Sequence, residues 1–255
     1  MEWAPWIYPL LFLTGLIAGL VDAIAGGGGL ITVPVLLNLG LPVPLALGTN
    51  KLQASCGSVM ASWTYVRRGV VDFRACHSGI LLTLAGAGLG AVTVQLLDTR
   101  LLTQLVPWLL GAILLYTIFR PEVGRHDHPP RLRWSWFYTA FGLGLGFYDG
   151  FFGPGVGSFW TIAFIAAQGF NFTKATGYTK VMNATSNLAA LAVFALHGSV
   201  QLGAGLAMGA GQLVGARLGA GLVVKKGARF VRPIFLTMVG LTLLRLLYVT
   251  VTRPS

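Results

Sequence analysis

Charged residues are scarce in this chain of 255 residues, and acidic ones above all. Only 10% of the residues are charged and just 7 are Asp or Glu, whereas 55% are hydrophobic and the mean hydropathy is +0.74. A water-soluble domain of this length has too small a core to hide so many apolar side chains, so the composition excludes a soluble globular protein. We therefore expect a protein that is embedded in a lipid bilayer.

Cysteine and histidine are also rare. The two cysteines, Cys56 and Cys76, form no CxxC pair, and the four histidines are scattered apart from His126 and His128. A metal centre needs several such ligands close together, and nucleophilic catalysis needs a nucleophile beside a base. The sequence thus predicts no cofactor, no metal site and no enzyme. It also lacks a GxxxxGK[ST] motif, so any energy for transport must come from gradients or another subunit.

Basic residues outnumber acidic ones, which gives a formal net charge of +11. Proteins that bind nucleic acid gather their basic residues on a soluble face. Here Lys and Arg lie mainly in short connectors between apolar segments. We therefore expect no nucleic-acid partner.

Long apolar segments recur along the chain. In order they are 6–21, 30–39, 52–66, 78–97 and 101–119, followed by further apolar sequence from 134 to 251. Several approach the roughly 20 residues that cross a bilayer as a helix. The pattern predicts an all-α, polytopic membrane protein with about eight transmembrane helices, or up to about ten membrane segments when short and broken ones are counted.

The two halves of the sequence resemble each other. The first-half residues Gly15, Gly19, Asp22, Gly26 and Gly28 correspond at a constant spacing to Gly142, Gly146, Asp149, Gly153 and Gly155. After a slip of two residues, GTNK at 48–51 corresponds to GYTK at 177–180. This predicts one membrane domain over 1–255, made of a first repeat (6–119), a polar connector (120–133) and a second repeat (134–251).

The basic residues indicate how the repeats are oriented, because short cytoplasmic loops accumulate Lys and Arg. With five crossings in each half, most connector Lys and Arg share one side, and only Arg100 and Arg253 lie opposite. Four crossings would split the same residues almost evenly. The charge bias therefore favours inverted repeats, an arrangement that is typical of secondary transporters with a site between the repeats.

Glycines interrupt the apolar sequence at matching places, 26–29 and 153–157. A broken helix leaves backbone groups unpaired, which lipid does not tolerate, so the breaks should line a protein interior or a wet cavity. A helix that restarts after such a break directs free N–H groups and the positive end of its dipole inward, and both favour an anion. The alternative is that the glycines only allow close helix packing.

Charged residues within the apolar segments need compensation, because each costs about 2.5 to 3.5 kcal/mol at mid-membrane. They are Asp22, Lys51, Asp149, Lys180 and Arg217. One hypothesis is that the three cations bind an anionic substrate, while the two carboxylates orient the lysines or carry a coupling proton. The alternative is structural ion pairing within each half, Asp22 with Lys51 and Asp149 with Lys180, or lysines that lie at the membrane interface.

The predicted substrate site combines these cations with polar neighbours and with the glycines of both breaks. Its members are Lys51, Lys180, Arg217, Asn50, Gln53, Thr179, Asn183, Asn187, Gly27, Gly28, Gly29, Gly155 and Gly157. Arg217 has no counterpart in the first half, where Val92 stands, so the site is expected to be asymmetric.

Several long motifs resemble the TauE/SafE family of sulfite exporters, and most closely its YfcA-like branch. They are GLVDAIAGGGGLITVP, ALGTNKLQASCGS, GFYDGFFGPGVGSF, KATGYTKVMNATSN and GQLVGARLG. The resemblance covers nearly the whole chain. It implies a multi-pass permease of the bacterial inner membrane that moves sulfite, sulfonates or related small anions. Because the chain lacks an ATP-binding motif, we expect gradients to drive transport, with the proton or the membrane potential as the candidate driving force. An anion channel or a non-transporting membrane partner protein is the alternative function.

Overall fold

The computed structural model describes residues 4–97 and 126–227, and these parts of the chain are helical and contain no strand. The described first half forms α1 (Ile7–Ala25), α2 (Gly29–Asn38), α3 (Val43–Arg67) and α4 (His77–Leu96), with a 3₁₀ turn at Phe73–Cys76 before α4. The described second half forms α5 (Leu143–Phe151), α6 (Val156–Gln168), α7 (Phe172–Leu196) and α8 (Leu202–Lys226). A helical turn at Trp134–Phe137 and a π-helical turn at Tyr138–Gly142 lead into α5.

Glycine and proline set several of these helix boundaries. Helix α1 ends at Gly26, whose φ of +77° is open to glycine because it has no Cβ atom, and its N–H donates to the Asp22 carbonyl at 2.8 Å. Gly153, with φ +97°, stands just after the end of α5. Helix α3 begins after Pro42 and carries Pro44 in its first turn, where a missing N–H removes no helical hydrogen bond.

Helices α3 and α7 lie at the centre of the described structure, although they are the least apolar of its longer helices. Each has 25 residues, which is about 37 Å at 1.5 Å per residue and long enough to cross a bilayer core of roughly 30 Å. Their buried polar side chains include Thr49, Asn50, Lys51, Gln53, Thr179, Lys180, Asn183 and Asn187. The described structure thus has a polar interior, and its exterior is apolar.

That exterior is formed by long helices that are mostly apolar. Residues 7–25, 73–96 and 202–226 are each long and apolar enough to span a membrane. They expose large apolar side chains such as Leu13, Leu84 and Leu206, which a soluble monomer would bury and lipid would cover. The prediction of an all-α membrane protein is confirmed.

The first helix of each half packs along the last described helix of the other half. Gly15 of α1 lies against Met208 of α8, and Gly19 lies against Gln212 one turn later, so α1 and α8 run parallel. In the same way, Gly146 and Gly150 of α5 lie against Thr83 and Ala87 of α4, and these two helices are also parallel. The small residues allow close backbone approach on both sides of the molecule.

The central helices fix the remaining directions. Gly48 near the start of α3 faces Phe194 near the end of α7, while Gly177 near the start of α7 faces Tyr65, so α3 and α7 are antiparallel. Two further pairs of helices are parallel. Leu52 and Cys56 of α3 lie against Gly205 and Gly209 of α8. Thr83 and Gln95 of α4 contact Met182 of α7 and Ser199 just beyond the end of α7.

Parts of the predicted repeats lie outside the described residues. These are residues 98–119 of the first repeat, 120–125 of the connector and 228–251 of the second repeat. Arg100 and Arg253, which the charge argument names, also lie outside the described residues. The described end of the connector contacts α6 and α7. His128 N–H donates to the Gly169 carbonyl at 2.7 Å, and Asp127 accepts from the Asn171 N–H at 2.6 Å.

Candidate functional site

The two glycine breaks contact each other between the halves. Gly26 at the end of α1 lies so close to Gly157 in the first turn of α6 that neither position has room for a Cβ atom. Ser158 donates a hydrogen bond to the Ala25 carbonyl at 3.0 Å. The broken segments are therefore buried against one another, and backbone groups that lipid would leave unpaired face protein instead.

Lys51 binds Asp149, which lies in the opposite half of the sequence. Its ammonium is 2.6 Å from Asp149 Oδ1, also donates to the Asp149 backbone carbonyl, and reaches Asn187 Oδ1 at 3.3 Å. The Ser186 hydroxyl donates to the second carboxylate oxygen, Oδ2. The Lys51 and Asp149 side chains are only 1% and 2% exposed, so this is a fully buried ion pair whose carboxylate has a donor on each oxygen.

Lys180 forms the corresponding pair with Asp22. Its ammonium is 2.9 Å from Asp22 Oδ2, and the other carboxylate oxygen accepts from the Gly28 N–H at 3.2 Å. Lys180 is completely buried, whereas the Asp22 side chain is 14% exposed. Asp22 thus links Lys180 of the second half to the start of α2 in the first half.

Both ion pairs cross between the halves, so the alternative of pairing Asp22 with Lys51 and Asp149 with Lys180 is wrong. The reason is the antiparallel crossing of α3 and α7, which carries each lysine to the break of the opposite half. Buried pairs of this kind are strongly destabilised when one partner is removed, because the other charge then remains uncompensated.

A cavity of about 20 Å³ lies between the two breaks. Both carboxylates, glycines of both breaks and four amide side chains line it, the amides being Asn50, Asn183, Asn187 and Gln212. This volume holds a water molecule, since a water needs roughly 10–15 Å³ on this measure. A three- or four-atom oxyanion needs more space than this cavity offers.

Hydrogen bonds behind the cavity orient two of its amides. Asn50 Oδ1 accepts from Thr32 at 2.6 Å and from Gln53 at 2.7 Å, and Gln53 also donates to Thr32 at 3.1 Å. Asn187 Oδ1 accepts from Lys51, and an ammonium can only donate. Because the carbonyl oxygens of Asn50 and Asn187 face these donors, their amino groups are left for the cavity.

Two other amides have buried oxygen atoms without a hydrogen-bond partner among the described residues. They are Asn183 Oδ1 and Gln212 Oε1, on side chains that are 3% and 1% exposed. Buried polar atoms in native proteins are nearly always paired with protein, water or ligand. The cavity beside these amides is therefore suited to a polar occupant.

The other predicted residues take supporting positions. Gly28 holds Asp22, Gly29 and Gly155 line the cavity, and Gly27 is buried in the first break. Gln53 lies behind Asn50, as described above. Thr179 pairs with Thr161 at 3.1 Å instead of lining the cavity.

Arg217 is a correction to the predicted site. The structure places it on the exposed face of α8, beside the exposed Leu218, and not on the cavity. The cause is packing, because Gly215 and Gly219 press the opposite face of α8 against α1. The asymmetry expected from an unmatched arginine is therefore not supplied by that residue.

Four polar residues of the site were missed in the sequence. They are Thr32, Thr161, Ser186 and Gln212. A signal was present for Ser186, which follows Asn183 by three residues and so shares its helix face. Gln212 stands in the glycine-rich GQLVG segment, where the glycines drew attention to packing.

Known proteins match the chain over most of its length. The family model described as "Sulfite exporter TauE/SafE" matches residues 11–246. A "Probable membrane transporter protein" of Haemophilus influenzae is 42% identical over 239 residues, which cover 94% of each chain. "Probable membrane transporter protein YfcA" of Escherichia coli K12 is 41% identical over 245 residues, covering 96% of this chain and 91% of the relative. "Probable membrane transporter protein ORF9" of Sinorhizobium sp. is 41% identical over 244 residues, covering 96% and 93%. No solved structure matches the chain.

Proposed function

This chain belongs to the sulfite exporter TauE/SafE family and is a protein of the bacterial inner membrane, and we propose that it is a secondary transporter of small anions such as sulfite or sulfonates. The observation that carries the proposal is that two buried lysines pair with Asp149 and Asp22, and that these two carboxylates line one small polar cavity together with glycines of both breaks. Discontinuous helices that converge on a site between two halves are typical of secondary transporters.

The two halves are, in this proposal, inverted copies of one unit. Helices α1, α3 and α8 run in one direction and α4, α5 and α7 run in the other, as their residue-by-residue contacts require. Three helices of the first half thus oppose their counterparts, α1 against α5, α3 against α7 and α4 against α8. Such an arrangement supports alternating access, because two tilts of one half against the other open the same site to opposite sides.

An anion fits this site better than a cation does. Both lysine ammonium groups and the Gly28 N–H, just before α2, donate hydrogen bonds. Asn187 accepts from Lys51 through its oxygen, so its amino group points away from that lysine. Both lysines are paired with carboxylates in this structure, so an anionic substrate has to replace one of them. The small cavity of about 20 Å³ favours a carrier over an anion channel, whose pore would be continuous and wet.

Transport in liposomes tests the proposal. Purified protein is reconstituted and supplied with radiolabelled sulfite, methanesulfonate or a carboxylate such as acetate, under an imposed pH gradient or membrane potential. We expect gradient-driven flux of the sulfur oxyanions and loss of that flux in Lys180→Met. Arg217→Gln is the matched control and should retain the flux, because Arg217 lies away from the cavity. Flux equal to that of empty liposomes for every anion would contradict the proposal.

A further inference from the structure

Asp22 is held as a bound oxyanion would be held. Its two carboxylate oxygens bridge the Lys180 ammonium, at 2.9 Å, and the Gly28 N–H, at 3.2 Å. Gly28 directly precedes α2, a helix of 10 residues, so this N–H lies at the positive end of the helix dipole. Two oxygens of a sulfite or sulfonate have nearly the spacing of a carboxylate and would find the same two donors.

Asp149 is held differently and is not free to leave. Side-chain donors hold both of its carboxylate oxygens, Lys51 on Oδ1 and Ser186 on Oδ2, and its backbone carbonyl also accepts from Lys51. Lys51 would therefore stay attached to the backbone even if the carboxylate moved. Asp22, by contrast, has Lys180 as its single side-chain donor among the described residues and is 14% exposed. Of the two lysines, Lys180 is the one that can exchange its partner.

Unpaired polar groups lie next to this exchangeable pair. Asn183 follows Lys180 by three residues on α7, is 3% exposed, lines the cavity, and has an oxygen without a partner among the described residues. Gln212 of α8 lines the same cavity and has an unpartnered oxygen as well. Acceptors of this kind suit the proton of a protonated carboxyl group, a protonated oxyanion or a water that accompanies the substrate.

Charge balance favours a proton as the coupling ion. Two lysines and two aspartates give this buried cluster a net charge of zero. An added anion would leave one uncompensated negative charge in a water-poor interior, which is strongly unfavourable. A proton that binds the Asp22 carboxylate turns it into a neutral carboxyl group and leaves the Lys180 ammonium to the incoming anion. The cluster then remains neutral, with one proton taken up for each singly charged anion.

The groups that surround Asp22 are compatible with this exchange. Lys180 faces it from α7, and Tyr65 of α3 lies nearby, with its hydroxyl donating to the Ala23 carbonyl at 2.9 Å. Asp149 of α5 lies on the same cavity. Helices α2 and α6 contain no ionisable residue, and α8 contributes the neutral Gln212 while its Arg217 is turned outward.

We propose that the Asp22 carboxylate occupies the substrate site itself, and that a proton on Asp22 frees Lys180 and the Gly28 N–H to bind the anion. The inference rests on the proposed anion transport and adds the position of the site and the coupling ion. Lys51 and Asp149 form the fixed pair, and Lys180 and Asp22 form the exchangeable one.

Thermal unfolding of the full chain in detergent tests the inference without requiring transport. Chloride, sulfite and methanesulfonate are added to the wild type, to Asp22→Asn and to Asp22→Asn/Lys180→Met. At neutral pH we expect the anions to raise the melting temperature of Asp22→Asn more than that of the wild type, because the variant leaves an unpaired ammonium. The double variant removes that ammonium and should not respond.

The pH dependence of methanesulfonate binding is the second measurement, because this anion keeps its single charge throughout. Wild-type affinity should rise about tenfold for each unit by which the pH falls while Asp22 is ionised, whereas Asp22→Asn should show a flat profile. A flat wild-type profile, or equal anion binding by the double variant, would overturn the inference, and the wild-type profile decides even if Asp22→Asn does not fold. A wild type that binds as expected but moves no anion would contradict the proposed function and support this site.

Discussion

The two glycine breaks are built from the same parts but end their helices differently. In the first break the Gly26 N–H donates to the Asp22 carbonyl at 2.8 Å, so this carbonyl is already satisfied. In the second break the Gly153 N–H donates to the Tyr148 carbonyl at 3.2 Å, one residue earlier, and the Asp149 carbonyl remains open for Lys51. This local difference in how the helices end thus gives Lys51–Asp149 an extra contact that Lys180–Asp22 lacks.

The same comparison locates the slip between the two halves. Thr32 bonds to Asn50 and Thr161 bonds to Thr179, and each pair is separated by 18 residues. Beyond the breaks, residues of the two halves therefore correspond again at a constant spacing. The two extra residues of the second half fall inside its break, where Gly155 adds a second positive φ of +84°. The difference between the two ion pairs therefore coincides with a difference of two residues in the length of the breaks.

Replacement of each lysine by methionine sharpens the comparison most. Lys51→Met leaves Asp149 as a charge that is 2% exposed and also removes a donor from a backbone carbonyl. We expect it to lower the free energy of unfolding by about 3–5 kcal/mol. Lys180→Met should cost less, because the Asp22 side chain is 14% exposed and keeps the Gly28 N–H.

Denaturant unfolding in detergent measures both losses. The double variant Lys51→Met/Asp149→Asn is the matched control, since it removes the uncompensated charge and should recover part of the lost stability. Equal losses in the two single lysine variants would show that the ion pairs are equivalent, against the distinction drawn from the two breaks.

Packing between the halves should, unlike the ion pairs, be symmetric. A Cβ atom at Gly90 of α4 would overlap the Phe147 carbonyl oxygen, and one at Gly215 of α8 would overlap the Leu16 carbonyl oxygen. Gly90→Ala and Gly215→Ala should therefore lower stability by similar amounts, about 1–3 kcal/mol each, as overpacked contacts do. Thermal unfolding in detergent gives the comparison.

Glycines on the open faces of the same helices provide the control. Gly88 of α4 and Gly221 of α8 have no atom within 4 Å of a Cβ placed there. Alanine at either position should leave stability unchanged or raise it slightly, because alanine favours a helix more than glycine does. Tolerance of Gly90→Ala together with a loss in Gly215→Ala would break the symmetry that the parallel helix pairs indicate.

The apolar pattern predicted the outer helices closely and the central helix poorly. The segment at 78–97 corresponds to α4, His77–Leu96. The segment at 52–66, however, covers only the later part of α3, which begins at Val43. The polar stretch at 48–51 concealed the start of that helix, because hydropathy describes contact with lipid whereas α3 is surrounded by protein.

The residues at the site were easier to predict than their partners. Charges and glycine breaks inside apolar sequence marked Asp22, Lys51, Asp149 and Lys180 without any structure, because each is costly unless compensated. Which carboxylate meets which lysine depends on the crossing of α3 and α7, which no local pattern contains. For Arg217 a signal did exist, because a residue two positions after Gly215 lies on the opposite side of a helix whose glycines face inward.

The smallest expected difference concerns the two threonines behind the ion pairs. Thr32→Val and Thr161→Val keep the side-chain shape and remove one hydroxyl, and each should cost about 1 kcal/mol of stability. Their effects on anion affinity should differ. Thr32 holds Asn50, which lines the cavity, whereas Thr161 holds Thr179, which does not.

Loss of the Thr32 hydroxyl removes a donor at 2.6 Å from Asn50 Oδ1 and leaves Gln53 as its remaining donor. Asn50 can then turn within the site, so methanesulfonate affinity, measured by thermal shift at low pH, should fall by roughly two- to tenfold, which corresponds to one hydrogen bond. Thr161→Val should bind methanesulfonate as the wild type does. Equal affinity losses in the two variants would mean that the anion contacts both halves alike, and the longer second break would then not determine which half receives the substrate.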